Sequence, residues 1–450
     1  MTSDVPHILL VNPWIHDFAA YDFWAKPLGL LSLGSILRTH DLRVTYIDCL
    51  DRFHPRSANT DTTKRHGRGP YLKTEIPKPA AIKDIPRTFS RYGIKPEWFR
   101  EDLLSVTAPD LIMVTSAMTY WYPGVQETIA HVKAVYPEVP VILGGAYATL
   151  CKDHAVMTSG ADRVVTGPGE TAVLALVQAY TGMRTSVRFD PGNLDTYPRP
   201  AFDLQHQISY IPLLTSRGCP FACAYCASHY LNPHLMWREP LEVVDEINFW
   251  HTEYGVVDFA LYDDAFLVNA ERHAIPLLDR LVQADLPIRL HTPNAIHIRN
   301  LSPTVARLMF AAGFETVRLG LETTVFETRR TLDGKVTADE FRKGLGYLKA
   351  AGFRGDQIGA YLLVGLPGQR TGDVAVSIAM VKDSGITPVP AYYAPIPHTD
   401  LWPHAVKASR YDLASDPIYT NNAILPCQQD DFAWSTLSTI KALAGPPSAP

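Results

Sequence analysis

Short apolar runs closed by turn-forming residues alternate with longer amphipathic stretches over the first 190 residues. Residues 7–13 (His-Ile-Leu-Leu-Val-Asn-Pro) have the length and flanks of a buried parallel strand. Further strands are predicted at 43–48, 110–116, 139–145 and 162–167, with helices at 28–38, 123–136 and 170–180. Strands alternating with helices predict a doubly wound parallel sheet, an α/β Rossmann-like domain over 1–189. Ligands of such sheets lie beyond the carboxyl ends of the strands. Residues 51–100 break the alternation. They are basic, aromatic and rich in Pro and Gly, and too long for an idle loop. They read either as a lid bringing Arg and Lys to an anionic substrate or as an insertion docked on the domain surface.

Residues 190–208 form a polar linker that opens with three prolines in eleven residues. A second series follows, with strands at 209–215, 257–262, 288–294, 316–322, 357–365 and 389–395 and helices between them. Six such repeats over 209–400 predict a partial (β/α)6 barrel of TIM type, with reactive groups at the carboxyl ends of its strands. Residues 401–450 form a less regular C-terminal extension.

Composition narrows the function. At 450 residues and 46% hydrophobic, the chain can bury two cores. A net charge of −5 argues against a nucleic-acid partner for the whole chain. No apolar run approaches the roughly 18 residues of a membrane span, and the first residues lack a basic leader. Six cysteines in 450 residues fit a reducing cytoplasm better than a disulfide scaffold.

Half of those cysteines lie in one loop, Cys219-Pro-Phe-Ala-Cys223-Ala-Tyr-Cys226, preceded by Thr215-Ser-Arg-Gly218. Three thiolates at this spacing can wrap three irons of a cubane cluster and leave the fourth open to an external ligand. A structural zinc site takes four ligands, usually as two pairs, and no second Cys-x2-Cys occurs. The loop resembles the cluster loop of the radical S-adenosylmethionine (SAM) superfamily, in which SAM chelates the open iron of a [4Fe–4S] cluster. That resemblance implies roles at the later strand ends. Asp263 and Asp264 stand where the family holds the SAM amino group. Asn294 stands where the carboxylate or ribose is met, and Glu322 at the ribose diol. Arg318, four residues before Glu322, is expected on the same strand face. Gly365, in Gly365-Leu-Pro-Gly368, stands near adenine. His398 reads as an acid or base at the barrel mouth or as a rim histidine bonded to backbone. Cys427 reads as a hydrogen-atom donor, an auxiliary ligand or a buried structural thiol.

The first domain resembles the cobalamin-binding domain that precedes many radical SAM barrels. The matching residues are Ser116 and Thr119 after the third sheet strand, Gly144 and Gly145 after the fourth, and Gly167, Gly169 and Glu170 after the fifth. The cobalt-ligating Asp-x-His-x-x-Gly motif is absent, and Asn12-Pro-Trp-Ile-His16-Asp stands in its place. Cobalamin held without a histidine from this chain is the expectation. The resemblance implies a radical SAM enzyme that cleaves SAM to a 5′-deoxyadenosyl radical. Methyl transfer to an unactivated carbon of a small molecule is the expected outcome, with electrons from a flavodoxin- or ferredoxin-type reductant. Radical cyclisation or rearrangement and a non-catalytic iron–sulfur electron carrier are the alternatives.

Overall fold

A computed structural model describes residues 5–57, 64–326, 332–334, 336–428 and 434–445. The chain divides into two compact units. Unit 1 is Met1–Ser209 with Ala414–Asn421, and unit 2 is Tyr210–Leu413 with Asn422–Pro450.

Unit 1 contains β1 (His7–Asn12), β2 (Ile15–Asp17), α1 (Leu28–Thr39), β3 (Arg43–Asp48), β4 (Lys73–Glu75), β5 (Ser90–Tyr92) and α2 (Pro96–Ser105). Then come β6 (Leu111–Val114), α3 (Tyr122–Val135), β7 (Val141–Leu143), α4 (Ala146–Leu150), α5 (Lys152–Thr158), β8 (Arg163–Val164) and α6 (Gly169–Thr181). The main sheet is parallel, in the order β3-β1-β6-β7-β8. Every residue of β1 is buried, as its unbroken apolar run requires when helices cover both faces. Ile8 and Leu10 of β1 join Leu30 and Leu37 of α1 and Val173 and Val177 of α6 in one core cluster.

The described residues of the insertion are structured and tied to the rest of unit 1. Its β5 pairs antiparallel with β4 on one side and with β2 on the other, in a second, three-stranded sheet. Buried Arg52 pairs with buried Asp22 at 2.9 Å and also donates to the Gly67 carbonyl. Arg91 pairs with Glu127, which also holds His16 at 2.8 Å. These two arginines are therefore committed to carboxylates of their own unit, in keeping with a docked insertion. The linker is also packed: Leu194, Ala201 and Phe202 are buried, Ala201 N donates to Leu31 O at 3.0 Å, and Arg38 pairs with Asp203 at 2.7 Å. The C-terminal extension does not stay in one piece, since its residues 414–421 belong to unit 1.

Unit 2 begins with β9 (Ile211–Leu213), β10 (Ser216–Arg217), α7 (Ser228–Leu231), β11 (Met236–Trp237), α8 (Pro240–Tyr254) and β12 (Asp258–Leu261). It continues with α9 (Ala274–Ala284), β13 (Arg289–His291), α10 (Pro303–Ala311), β14 (Phe314–Glu322), α11 (Ala338–Ala351), β15 (Ile358–Val364), α12 (Thr371–Asp383) and β16 (Thr387–Tyr392). Helices α13 (Trp402–Ala408) and α14 (Ser435–Ala444) follow. Its six-stranded sheet runs β9-β12-β13-β14-β15-β16, parallel throughout and in chain order. A sheet in chain order whose first and last strands do not pair is an open partial barrel. Local signals start its helices: Ser302 caps α10, and Thr337 with Glu340 forms a full capping box on α11.

Candidate functional site

The cysteine loop lies between β10 and β11, which pair antiparallel through Ser216–Trp237 and Arg217–Met236. Gly218 opens it at φ +90°, and a Cβ there would stand 2.4 Å from the His234 carbonyl oxygen, so only glycine fits. Ala224 pins the middle: its N–H donates to Leu332 O at 2.9 Å, and its carbonyl accepts from Leu401 N at 2.7 Å. None of Cys219, Cys223 and Cys226 is in a disulfide. Ser228 N donates to Cys226 Sγ at 3.4 Å, a bond that suits a thiolate. The donor set fits the three-cysteine side of a cubane cluster.

Asp264 is linked to this loop through Ser228. Asp264 Oδ1 lies 3.2 Å from Ser228 Oγ, which lies 3.2 Å from Cys226 Sγ. Burial pushes the Tyr225 phenol well up, and the Glu322 carboxylate adds to the rise. Glu322 ends β14 at φ +59°, an uncommon conformation for a non-glycine residue. Asn294 is exposed, and its Nδ2 donates to the Tyr262 carbonyl at 2.8 Å, tying the ends of β12 and β13 together.

Three expected SAM residues are engaged elsewhere. Asp263 is buried, and its carboxylate accepts from Thr215 N (3.2 Å), Thr215 Oγ1 (2.6 Å) and Ser216 Oγ (2.6 Å). Burial raises its pKa against those bonds. With His273 Nε2 at 2.7 Å from Thr215 Oγ1, it forms a buried brace under the approach to the cysteine loop. Arg318 stands two residues before Gly320, where a Cβ would lie 3.3 Å from Glu322 Oε1, and the β14–β15 register shifts between Gly320 and Glu322. Its guanidinium lies over Gly359 and donates to Val317 O at 3.2 Å, toward the amino end of β15. At Gly365 the close neighbour is Leu425, whose Cδ2 would lie 2.6 Å from a Cβ, and the Gly365 N–H is taken by Gln369 Oε1 at 2.7 Å.

His398 is exposed and stacks flat on Tyr230 of α7, with ring centroids 4.4 Å apart. Cys427 is buried, directs its thiol to Ala405 O at 3.8 Å, and is pushed up to about 12 by burial. A protonated, enclosed thiol is a core group rather than an iron ligand.

In unit 1 a cleft of about 210 Å³ opens where β6, β7 and β8 end, lined among others by Gly144, Gly145, Gly167, Gly169 and Glu170. Gly145 has φ +98°, and a Cβ would sit 2.2 Å from Ser116 O. Ser116 and Thr119 do not line the cleft. Ser116 Oγ donates to Gly144 O at 2.6 Å, and Thr119 Oγ1 bonds Thr420 Oγ1 at 2.8 Å. Both hydroxyls brace the loop after β6, so sequence reasoning assigned them the wrong partner. It also missed that loop's other supports. Buried Asp17 accepts from Asn421 Nδ2 (2.8 Å) and Trp121 Nε1 (2.7 Å), and Tyr122 donates to Asp416 at 3.0 Å. Nothing in residues 414–421 marks them as belonging to the first unit. Ser228, two residues past Cys226, was likewise passed over, since a serine carries little signal alone.

Residues 213–381 match the family model of the radical SAM superfamily, and residues 95–177 that of the B12 binding domain. An uncharacterized methyltransferase of Pyrococcus horikoshii is 27% identical over 66% of this chain and 70% of its own. The cytidylyl-2-hydroxyethylphosphonate methyltransferase of Streptomyces wedmorensis is 22% identical over 80% and 73%. The solved structure of the radical SAM methyltransferase TsrM from Kitasatospora setae, with cobalamin and a [4Fe–4S] cluster bound, shares the fold. Its TM-score is 0.65 at 18% identity, over 90% of this chain and 76% of that one. The cofactors that go with these two domains are a [4Fe–4S] cluster, SAM and cobalamin. The chain belongs to the radical SAM superfamily of enzymes and carries a B12-binding domain ahead of its barrel.

Proposed function

We propose that the protein is a cobalamin-dependent methyltransferase acting on an unactivated carbon of a small molecule. The observation that carries this reading is the pairing, in one chain, of a three-thiol loop linked to Asp264, with Glu322 at a strand end of the same barrel, and a glycine-lined cleft at the carboxyl edge of the unit 1 sheet. When bound, the cluster, SAM and cobalamin supply the adenosyl radical and the methyl carrier. The chain supplies placement. Cys219, Cys223 and Cys226 hold three irons. Asp264 accepts from the SAM ammonium, and Glu322 from the ribose hydroxyls. Asn294, with its amide nitrogen on Tyr262 O, presents its carbonyl oxygen to the same ligand. Gly144, Gly145, Gly167, Gly169 and Glu170 admit part of cobalamin to the cleft. Cobalt takes no histidine from this chain, since the nearest sequence candidate, His16, is held by Glu127. His398, set by Tyr230, gives or takes a proton at the substrate.

A flavodoxin- or ferredoxin-type protein delivers the electron, and no nucleic acid takes part. Among the described residues no helix is long and apolar enough to cross a membrane. We place the enzyme in a reducing cytoplasm because none of the six cysteines is in a disulfide. A second reading, radical ring closure, is favoured by one relative. The anaerobic magnesium-protoporphyrin IX monomethyl ester cyclase of Rubrivivax gelatinosus is 23% identical over 66% of this chain and 59% of its own. Anaerobic turnover of the reconstituted protein with SAM, cobalamin, reductant and substrate extracts separates the readings. Methyl transfer yields S-adenosylhomocysteine with 5′-deoxyadenosine. 5′-Deoxyadenosine alone supports cyclisation or rearrangement, and neither product, with iron in place, supports an electron carrier.

A further inference from the structure

Ser228 touches both a cysteine of the loop and the Asp264 carboxylate. Its hydroxyl carries a single proton, and its oxygen lies 3.2 Å from Cys226 Sγ and 3.2 Å from Asp264 Oδ1. An iron-bound cysteine is a thiolate and a carboxylate only accepts, so both neighbours compete for one donor. The Ser228 N–H already points at the sulfur, and His297 Nε2 lies 3.4 Å from the Asp264 carbonyl. Neither contact uses the hydroxyl.

We propose that Ser228 is a positioning residue that couples occupancy at Asp264 to the ease of reducing the cluster. This rests on Asp264 being the acceptor for the SAM ammonium. With no ammonium present, Asp264 draws the hydroxyl proton. An ammonium at Asp264 offsets that pull, and the proton turns to Cys226 Sγ. A hydrogen bond to a cluster sulfur stabilises the added negative charge of the reduced state and raises the reduction potential. One electron enters from the low-potential reductant protein; the serine proton changes partner without leaving its oxygen. The effect is that the electron is accepted most readily when its co-substrate is in place.

The test is a set of EPR-monitored redox titrations of the reconstituted full chain, with and without SAM. The variants are Ser228→Ala, Ser228→Thr, Asp264→Asn and the Ser228/Asp264 double substitution, at equal iron content. SAM should raise the wild-type potential. Ser228→Ala should cut that rise by about one decade in the reduction equilibrium, about 59 mV for one electron, and Ser228→Thr should restore it. Asp264→Asn should raise the SAM-free potential, and much of that gain should vanish in the double variant. Ser228→Ala potentials equal to wild type in both states, or additive shifts in the double variant, overturn the coupling. SAM affinity by equilibrium dialysis separates the two layers. Asp264→Asn binding SAM at wild-type strength overturns the Asp264 assignment and the coupling with it. Weakened SAM binding beside unmoved Ser228→Ala potentials overturns the coupling alone.

Discussion

Asp263 and Asp264 are adjacent after β12, yet their carboxylates have different partners. Asp263 takes three hydrogen bonds from Thr215 and Ser216 inside the protein, whereas Asp264 meets the cysteine loop through Ser228. Asp264→Ala or Glu322→Ala should therefore keep the iron and lose SAM affinity. Losing a hydrogen bond to a charged group costs about 1.5–3 kcal/mol, or roughly ten- to a hundredfold in equilibrium dialysis. Asp263→Ala should do the reverse. It strands buried hydroxyls at about 1–3 kcal/mol and loosens the loop, so iron per chain falls first. Full iron with weakened SAM binding in Asp263→Ala would reinstate it as a ligand. The sequence identified this acidic pair but not its division, because which carboxylate turns inward depends on Thr215 and Ser216, some fifty residues earlier in the chain.

At the scale of elements, periodicity located all six strands of the barrel and all five of the parallel sheet. What it missed is instructive. Helix α2 buries only Phe99 and Leu103, a stripe too thin to stand out within a basic, proline-rich insertion. The irregularity in β14 is invisible in Arg318-Leu-Gly-Leu-Glu322, since period-two alternation assumes an unbroken register. The glycine pair after β7 was matched to the cobalamin-binding pattern, and the nearest neighbour at Gly145 is the Ser116 backbone. Gly145→Ala should cost about 1–3 kcal/mol for a backbone at φ +98° and ψ −169° that only glycine adopts readily, with the 2.2 Å contact added to it. A thermal melt should fall, and absorbance of retained cobalamin should fall with it. A variant that melts and binds like wild type would show that this turn relaxes freely.

For the whole molecule, one paired carboxylate in each unit sets an acid limit. Burial alone would raise Glu127, but His16 and Arg91 outweigh it and bring it to about 2, below the ordinary 4.5. Asp258 behaves alike, with Arg289 and His291 overcoming burial to hold it at about 2 against 3.8. A depressed folded-state pKa contributes stability that is present above the unfolded value and lost as pH falls through the folded one. Melting temperature should therefore decline between about pH 4.5 and pH 2, and Glu127→Gln should flatten part of that decline. An unchanged slope in the variant would remove Glu127 from the account. The residues 414–421 that brace Asp17, Thr119 and Tyr122 bear on how the protein is made. The ribosome must add the 204 residues of Tyr210–Leu413 before that brace exists, roughly 10–40 s of translation. Over that interval the nascent first unit carries a buried aspartate without its asparagine partner. Its corrin-side loop is completed only after nearly all of the barrel has left the ribosome, so a premature stop after the barrel damages the domain made first.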